Sequence, residues 1–211
     1  MTLKKDKSFP EEPFASSREV VGLEQDDSSI VWREVESTCK PAARPLSEFL
    51  SGIQLLSSKT PEPQAQTPLL VFMPWSCMQA MEAHAGGDIL NEQAGIIYGH
   101  AYAGASGQLY IVVTSVLPAD TTNSPIHFRF HERSWEKLWI GSKDGSNLLG
   151  WYHSHPGVGV FLSGTDLRTQ QLYFSAPWQI AVVLDPVSRG TAAFHGAKGE
   201  RVPQENLIIY C

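Results

Sequence analysis

Two histidines separated by one residue, at the end of an apolar run and before a glycine-rich turn, constrain this chain more than any other feature. The run at residues 148–152 leads into His153 and His155. In an extended strand, residues i and i+2 point to the same face and lie about 7 Å apart. We therefore predict a strand whose end presents two imidazoles on one side, where they can converge on a single ion.

After the turn, Ser163 marks a predicted helix start, with Asp166 in the first turn of the helix. A serine followed three residues later by an acid is also a common capping arrangement, and a histidine pair on a strand is often two half-exposed side chains. Together, however, His153, His155 and Asp166 supply the three nitrogen and carboxylate ligands that a catalytic zinc site uses, with water in the fourth position. The joint spacing favours one zinc ion per chain.

Composition excludes several classes of protein. A length of 211 residues is enough for one well-buried domain with an appendage, and a hydrophobic content of 42% is typical of a globular protein. No run reaches the ~20 apolar residues of a membrane helix, and no apolar segment follows the charged N-terminus, so we expect a cytoplasmic protein. Three cysteines without a Cys-x-x-Cys pair argue against a disulfide framework and a thiolate zinc site. A net charge of -6 without a strong basic cluster argues against a nucleic-acid partner.

The chain divides into a proline-rich extension, residues 1–67, and a globular domain, residues 68–211. Seven of the fourteen prolines lie at or before Pro68. Within the extension, residues 29–36 are predicted as a short strand and residues 47–56 as a helix capped by Ser47. These islands could dock on the domain, on a protein partner or on a second copy of the chain, and the sequence does not choose among them.

The globular domain alternates predicted strands and helices, which indicates an α/β or α+β layer architecture. We predict a hairpin of two strands, residues 95–102 and 108–117, joined by a glycine-rich turn. Residues 118–125 are predicted as a polar loop. The other predicted strands are residues 69–73, 148–155, 178–184, 191–195 and 206–210, and the predicted helices are residues 75–85, 128–140 and 165–174.

A hydrolytic zinc site also needs a base within hydrogen-bond reach of the water, and a carboxylate is the usual choice. Spacing alone does not select among Glu82, Glu92, Glu132 and Glu136. The remaining histidines have no second ligand at a suitable spacing and are expected to be ordinary core or surface residues; they are His84, His100, His127, His131 and His195.

The stretch from Gly150 to Asp166 resembles the signature of the JAMM (MPN+) metalloproteases. This signature is His-Ser/Thr-His-Pro, then a serine after seven residues and an aspartate three further on, with a glutamate upstream. The flanking residues are most similar to the proteasome-lid deubiquitinase. Residues that fit the signature are His153, Ser154, His155, Pro156, Ser163 and Asp166.

The resemblance implies a cytidine-deaminase-like MPN fold, a mixed sheet flanked by helices. It selects Glu92 as the catalytic glutamate, because Glu92 stands three residues before a glycine that opens an apolar strand. It also gives the Ser163 hydroxyl the role of stabilising the oxyanion, and it implies metal-assisted hydrolysis of the amide bond after the C-terminal glycine of ubiquitin or a ubiquitin-like protein. Residues expected near the tail of such a modifier are Gly157, Val158, Gly159, Val160, Phe161 and Leu162.

Three other functions share features with this sequence. A non-catalytic MPN scaffold subunit normally lacks ligands of this motif, which are all present here. A stand-alone prokaryotic peptidase acting on a sulfur-carrier protein is consistent with a chain that ends soon after the closing strands. A zinc deaminase would require His-x-Glu with Pro-Cys-x-x-Cys, and the chain has no Cys-x-x-Cys pair.

Overall fold

A computed structural model describes residues 40–56, 69–104, 106–119 and 146–211 in full, and residues 18–22, 32–36, 121–124 and 127–130 at the level of the backbone. The elements are, in chain order, β1 (Arg18–Gly22), β2 (Trp32–Glu36), β3 (Ala42–Ala43), α1 (Leu46–Leu50), β4 (Leu70–Pro74), α2 (Trp75–Gly87), β5 (Ala94–Ala103), β6 (Leu109–Pro118), β7 (Thr121–Ser124), β8 (His127–Phe130), β9 (Asn147–Ser154), α3 (Gly164–Tyr173), β10 (Ile180–Asp185), β11 (Gly190–His195), β12 (Glu200–Arg201), a 3₁₀ turn (Gln204–Asn206) and β13 (Leu207–Tyr210).

Most of these strands form one mixed sheet. Its order is β12-β11-β10-β9-β5-β6-β4-β13, with the short β3 pairing beside β5. Strand β9, which carries His153, lies between β10, to which it is parallel, and β5, to which it is antiparallel. The prediction of a mixed sheet flanked by helices is confirmed, as is the β5–β6 hairpin.

Helices pack on both faces of the sheet. Alternate residues of a strand point to opposite faces, so neighbouring strand residues contact different helices. Val182 of β10 belongs to the same buried cluster as Met81 of α2. Its neighbour Val183 belongs to a second cluster, with Trp151 of β9. Since His153 lies opposite Val183 in the β9–β10 register, its side chain is on the face away from α2, where α3 packs.

Residues 40–56, which we call the N-terminal arm, cover the side of β4 that points away from α2. The buried ring of Phe49 lies 4.8 Å from the ring of Phe72, between centroids. The backbone N–H of Arg44 donates to the carbonyl of Ala103 at 3.1 Å, which joins the start of the arm to the sheet. Of the three docking possibilities for the islands, the arm takes the first and docks on the globular domain.

The helix predicted over residues 47–56 is wrong in extent. Helix α1 ends at Leu50, and Ser47 lies inside it and does not cap it. Gly52, a weak helix former, follows closely. Leu55 then pairs with Tyr210 as an isolated antiparallel bridge at the edge of the sheet. The residues around Leu55 are therefore extended and pair with the edge of β13.

Two other predictions need correction where the structure describes the chain. The predicted polar loop 118–125 contains β7, and the predicted helix 128–140 begins within β8; residues 131–145 lie outside the described residues. Strands β7 and β8 pair antiparallel, and their threonines and phenylalanines favour extended backbone. In the extension, the predicted strand 29–36 is confirmed over β2, whose partner β1 was not predicted.

The remaining predicted strands and helices agree with the structure to within two residues at each end. Among the described residues 40–56, 69–104, 106–119 and 146–211, sequence analysis also missed three very short elements: β3 and β12, with two residues each, and the 3₁₀ turn, with three. Such elements are too short to show a periodicity.

Two glycines let β9 lie close to its neighbours. A Cβ atom on Gly150 would be 1.8 Å from the carbonyl oxygen of Ile180, on the backbone of β10. A Cβ atom on Gly95 of β5 would be 2.3 Å from Cε1 of the Tyr152 ring. Neither position has room for a methyl group, so both strand contacts beside the histidines require glycine.

We expect Gly150→Ala to destabilise the protein strongly, because the added methyl group would collide with backbone that cannot move independently of the sheet. Gly86→Ala in α2 is the matched control, since no atom lies within 4 Å of the place that its methyl group would occupy. It should stabilise the helix by about 0.5–1 kcal/mol. Thermal unfolding of both variants measures the difference, and similar melting temperatures would contradict this account.

The arm generates a second prediction. Phe49→Ala should lower the free energy of unfolding by about 3 kcal/mol, the usual cost of deleting a buried aromatic ring. Glu48→Ala, an exposed neighbour in the same helix, should cost less than about 1 kcal/mol. Equal and small effects of the two substitutions in denaturant titrations would show that the arm does not belong to the cooperative unit.

Candidate metal centre

The two histidines lie at the end of β9 with their rings close together. His153 is fully buried and His155 is 3% exposed. Their Nε2 atoms are 3.1 Å apart. The backbone N–H of His155 donates to the carbonyl of Leu184 at 2.8 Å, which continues the β9–β10 contact one residue beyond the strand. The strand register therefore orients both imidazoles as the sequence predicts.

Asp166 reaches the same point from the first turn of α3. Its Oδ2 atom lies 3.4 Å from Nε2 of His153 and 3.5 Å from Nε2 of His155. The same oxygen accepts the backbone N–H of Ser163 at 2.7 Å, and the Ser163 hydroxyl accepts the backbone N–H of Asp166 at 3.2 Å. The capping box and the ligand-like cluster are thus one arrangement, and the two interpretations of this motif do not compete.

The three donor atoms fit a tetrahedral metal ion. Zinc binds histidine nitrogen and carboxylate oxygen at about 2.0–2.2 Å, which places neighbouring ligand atoms of a tetrahedron roughly 3.3–3.6 Å apart. The observed separations of 3.1, 3.4 and 3.5 Å are close to that range. His153, His155 and Asp166 are all buried and could together hold a metal ion.

The ionisation of this cluster suits a cation. Burial lowers the pKa of His153, and the nearby carboxylate does not fully offset this effect. Burial also opposes the charged form of His155, but contacts with Asp166 raise the pKa of this imidazole above its usual value. Burial raises the pKa of Asp166, yet the two imidazoles more than compensate, so that the carboxyl is ionised at neutral pH. An anionic carboxylate beside a neutral imidazole is a donor set that a divalent metal needs.

Glu92 lies against the cluster just before β5. Its side chain is largely buried, and its Oε1 atom is 3.7 Å from Nε2 of His155. Burial raises the pKa of Glu92 to about 7, with an opposing effect of His155 and a further increase from Asp166. A carboxyl group that titrates near neutral pH can both take up and release a proton under physiological conditions.

The other predicted candidates for this role are less suitable or lie outside the described residues. Glu82 is on the exposed side of α2, and residues 132 and 136 fall in the undescribed segment. Glu92 is further positioned through its neighbour Gln93. The backbone N–H of Gln93 donates to the Ser154 hydroxyl, and the Ser154 N–H donates to the Gln93 carbonyl, each at 2.9 Å.

The glycine-rich turn contributes both exposed and partly buried side chains. Val158 and Phe161 are exposed, and the Phe161 ring lies 4.8 Å from that of His155, between centroids. Val160 and Leu162 instead pack against the buried cluster beside α3. Of the six residues expected near a modifier tail, Val158 and Phe161 are therefore exposed, with Phe161 next to His155. Val160 and Leu162 support the turn instead.

Asp185 organises this turn, and sequence analysis missed it. Its buried carboxylate accepts N–H groups from Gly157 at 2.9 Å and Gly159 at 3.0 Å, and also from Val187 and Ser188 in the next turn. Burial opposes ionisation of Asp185, but these bonds outweigh it and hold its pKa well below the usual range. The only sequence signal was an Asp-Pro pair, which indicates a turn but not its partner.

The histidines that were not expected to be ligands have other contacts where the structure describes their side chains. Nδ1 of His84 is 3.0 Å from the Tyr152 hydroxyl, and Nδ1 of His195 is 3.1 Å from the carbonyl of Pro177. The ring of His100 lies near that of Tyr102. The side chains at positions 127 and 131 lie outside the described part of the chain.

The mixed sheet, with two histidines at the end of β9 and an aspartate at the start of α3, agrees with the fold that the sequence resemblance implies. The chain matches the family described as "JAB1/Mov34/MPN/PAD-1 ubiquitin protease" over residues 69–176. The match covers just over half of the sequence, and the chain belongs to this family.

Several relatives have the name COP9 signalosome complex subunit 5. The protein of Eremothecium gossypii is 34% identical over 117 residues, which are 53% of this chain and 26% of the relative. That of Dictyostelium discoideum is 30% identical over 147 residues, 59% of this chain and 42% of the relative. That of Oryza sativa subsp. japonica is 36% identical over 112 residues, 50% and 29% respectively. The chain spans less than half the length of these relatives.

Among solved structures, protein DSY2949 from Desulfitobacterium hafniense is similar, with 21% identity and a TM-score of 0.47 over 67% of this chain and 90% of that protein.

Within the described residues, no helix is both long and apolar enough to span a membrane.

Asp185→Asn should reduce the stability of the protein by about 1–3 kcal/mol at pH 7, because a neutral amide oxygen is a weaker acceptor than a carboxylate. The pKa of Asp185 is lower in the folded than in the unfolded protein. Its contribution is therefore present above the ordinary aspartate pKa and is lost as pH falls through the lower folded value.

Denaturant titrations between about pH 7 and pH 2 should show the difference between wild type and Asp185→Asn shrinking as the pH falls. Asp88→Asn is the control for removing an acid from a turn, since Asp88 accepts N–H groups near the surface. A difference that stayed constant over the whole range would contradict the assigned role of the Asp185 carboxylate.

Proposed function

We propose that this protein is a zinc-dependent isopeptidase that hydrolyses the amide bond after the C-terminal glycine of ubiquitin or a ubiquitin-like modifier. The observation that carries the proposal is the convergence of one carboxylate oxygen and two imidazole nitrogens, 3.1–3.5 Å apart, with a second carboxylate beside them. The description of the family as a ubiquitin protease supports the reaction class and the substrate class.

In this proposal His153, His155 and Asp166 hold one zinc ion per chain. When bound, zinc supplies a Lewis acid that polarises the scissile carbonyl and lowers the pKa of a water ligand to about 7. Glu92 accepts a proton from the attacking water and returns it to the departing lysine amine. Its carboxyl group lies beside His155, within reach of the proposed centre, and a carboxylate is a usual general base and acid.

Ser163 is proposed to stabilise the oxyanion that develops on the scissile carbonyl. Its hydroxyl already accepts the Asp166 N–H, and a serine hydroxyl can donate a hydrogen bond as well as accept one. Its position at the start of α3 also places it at the positive end of the helix dipole, which favours negative charge. Removal of one such donor in other hydrolases lowers the rate by about 10²–10³.

The modifier is proposed to bind through its extended C-terminal tail along the glycine-rich turn. A tail of this kind can be held by backbone hydrogen bonds, as in strand addition. The exposed side chains of Val158 and Phe161 offer an apolar surface beside His155 for residues near the scissile bond. Gly157 and Gly159 have positive φ angles of 75° and 89° and keep the main chain of the turn free of side chains.

We further propose that residues 68–211 form the catalytic domain of a cytoplasmic enzyme. In this proposal the part of the extension outside the N-terminal arm contacts a protein partner or a second copy of the chain, while the arm packs on the domain. Relatives whose name places them in the COP9 signalosome complex support a role for protein partners. Neither nucleic acid nor a membrane is part of this proposal.

A cleavage panel tests the proposal. Fusions and lysine conjugates of ubiquitin, a ubiquitin-like protein and a sulfur-carrier protein are incubated with the purified chain, with and without a chelator, and zinc content is measured. We expect one zinc per chain and cleavage of at least one modifier that the chelator abolishes. Stoichiometric zinc without cleavage of any modifier would favour a scaffold, and absence of zinc would end the proposal.

Three variants separate metal binding from proton transfer. Glu92→Gln should keep the zinc and lower the rate of cleavage by about 10²- to 10⁴-fold, because only the base is removed. His155→Ala should lose both zinc and turnover. His100→Ala, outside the cluster, should change neither. Full activity of Glu92→Gln would remove Glu92 from the mechanism.

A further inference from the structure

A fully buried glutamine, Gln170, lies behind the proposed metal ligands, and both the oxygen and the nitrogen of its amide form hydrogen bonds. Its Oε1 atom accepts the indole N–H of Trp151 at 2.9 Å. Its Nε2 atom donates to the carbonyls of Phe174 at 2.8 Å and Gln179 at 3.2 Å. Since an indole nitrogen can only donate, these three bonds allow one orientation of the amide.

Trp151 in turn contacts His153, one of the proposed metal ligands. Its indole is fully buried and stacks on the imidazole of His153, with ring centroids 4.5 Å apart and planes 10° from parallel. The terminal torsion of histidine is soft, so the plane of the ring is set by what it packs against. The flat contact with the indole therefore restricts how the His153 ring can turn around its Cβ–Cγ bond.

Gln170 also lies four residues after Asp166 on α3, and residues at this spacing share one side of a helix. Both side chains are buried against the sheet. The bond from Gln170 to Trp151 consequently joins the helix that carries Asp166 to the strand that carries His153. A single amide thus connects the supports of two donors that belong to different elements.

We propose that Gln170 is a positioning residue for the metal centre, acting through the stacked ring of Trp151 on His153 and through α3 on Asp166. This inference rests on the proposed function, because the centre it serves is the proposed zinc site. Partners behind metal ligands typically change metal affinity 10- to 100-fold when they are mutated. The same range is expected for Gln170.

The main test compares Gln170→Met with Gln179→Met. Gln179 is a second buried glutamine, whose side chain accepts the Ala176 N–H and donates to the Leu148 carbonyl. Its backbone carbonyl, which accepts from Gln170, is kept in the methionine variant. Zinc affinity is measured by competition with a chromogenic chelator, and stability by thermal unfolding of the metal-free proteins. Gln170→Met should bind zinc 10- to 100-fold more weakly, whereas Gln179→Met should keep near wild-type affinity at a similar loss of melting temperature.

Trp151→Phe keeps a stacked ring but removes the indole N–H, so it breaks the same bond from the other side. Its effect on zinc affinity should not add to that of Gln170→Met in the double variant. This second route keeps the inference testable if Gln170→Met folds poorly. Additive effects, or equal loss of zinc affinity in Gln170→Met and Gln179→Met, would overturn it.

A metal-free readout separates this inference from the proposed function. The imidazole NMR resonances of His153 report the ring current of the stacked indole, and they should shift in Gln170→Met but not in Gln179→Met. If the wild-type protein took up no zinc, the proposed function would fail while these resonances still decided the role of Gln170. Unchanged His153 resonances in Gln170→Met would refute that role.

Discussion

The candidate metal centre depends on the carboxylate of Asp166 reaching two imidazoles that belong to a different element. One oxygen atom contacts His153, His155 and the backbone N–H of Ser163. A buried carboxylate without partners would cost several kcal/mol, and these contacts are what makes its burial tolerable. They also place nitrogen and oxygen donors at separations that match one small cation. Stability of the carboxylate and geometry of the centre therefore have the same cause.

Strand direction explains why the centre assembles where it does. The end of β9 lies beside the end of β10, because the two strands are parallel, and beside the start of β5, because that strand is antiparallel. Ligands of open sheets bind at the carboxyl ends of strands, where neighbouring connections diverge. Glu92 precedes β5 and so arrives at the same edge as His155. Gly150 and Gly95 permit the close approach of all three strands.

Much of this fold follows from local patterns. The capping box at Ser163, the strand before His155 and the helix after Pro74 are each specified by residues within one element, and the structure agrees with them. Errors occurred where a short apolar segment suits either conformation. The apolar residues of 47–56 have a spacing compatible with a helix, yet Leu55 pairs with Tyr210 at the edge of the sheet. Residues 128–130 pair with β7, which no local pattern near them reveals.

By itself, the sequence determined which side chains are candidate donors and their local order, because a strand presents alternate residues on one face and a helix start holds its capping acid in place. The resemblance selected Glu92, but only the tertiary structure shows it beside His155. Tertiary structure alone decided that Asp185 holds the glycine-rich turn and that Gln170 reaches Trp151. These contacts join residues that are far apart in the chain. They depend on the register and direction of strands brought together by burial of the sheet, and no local pattern encodes that pairing.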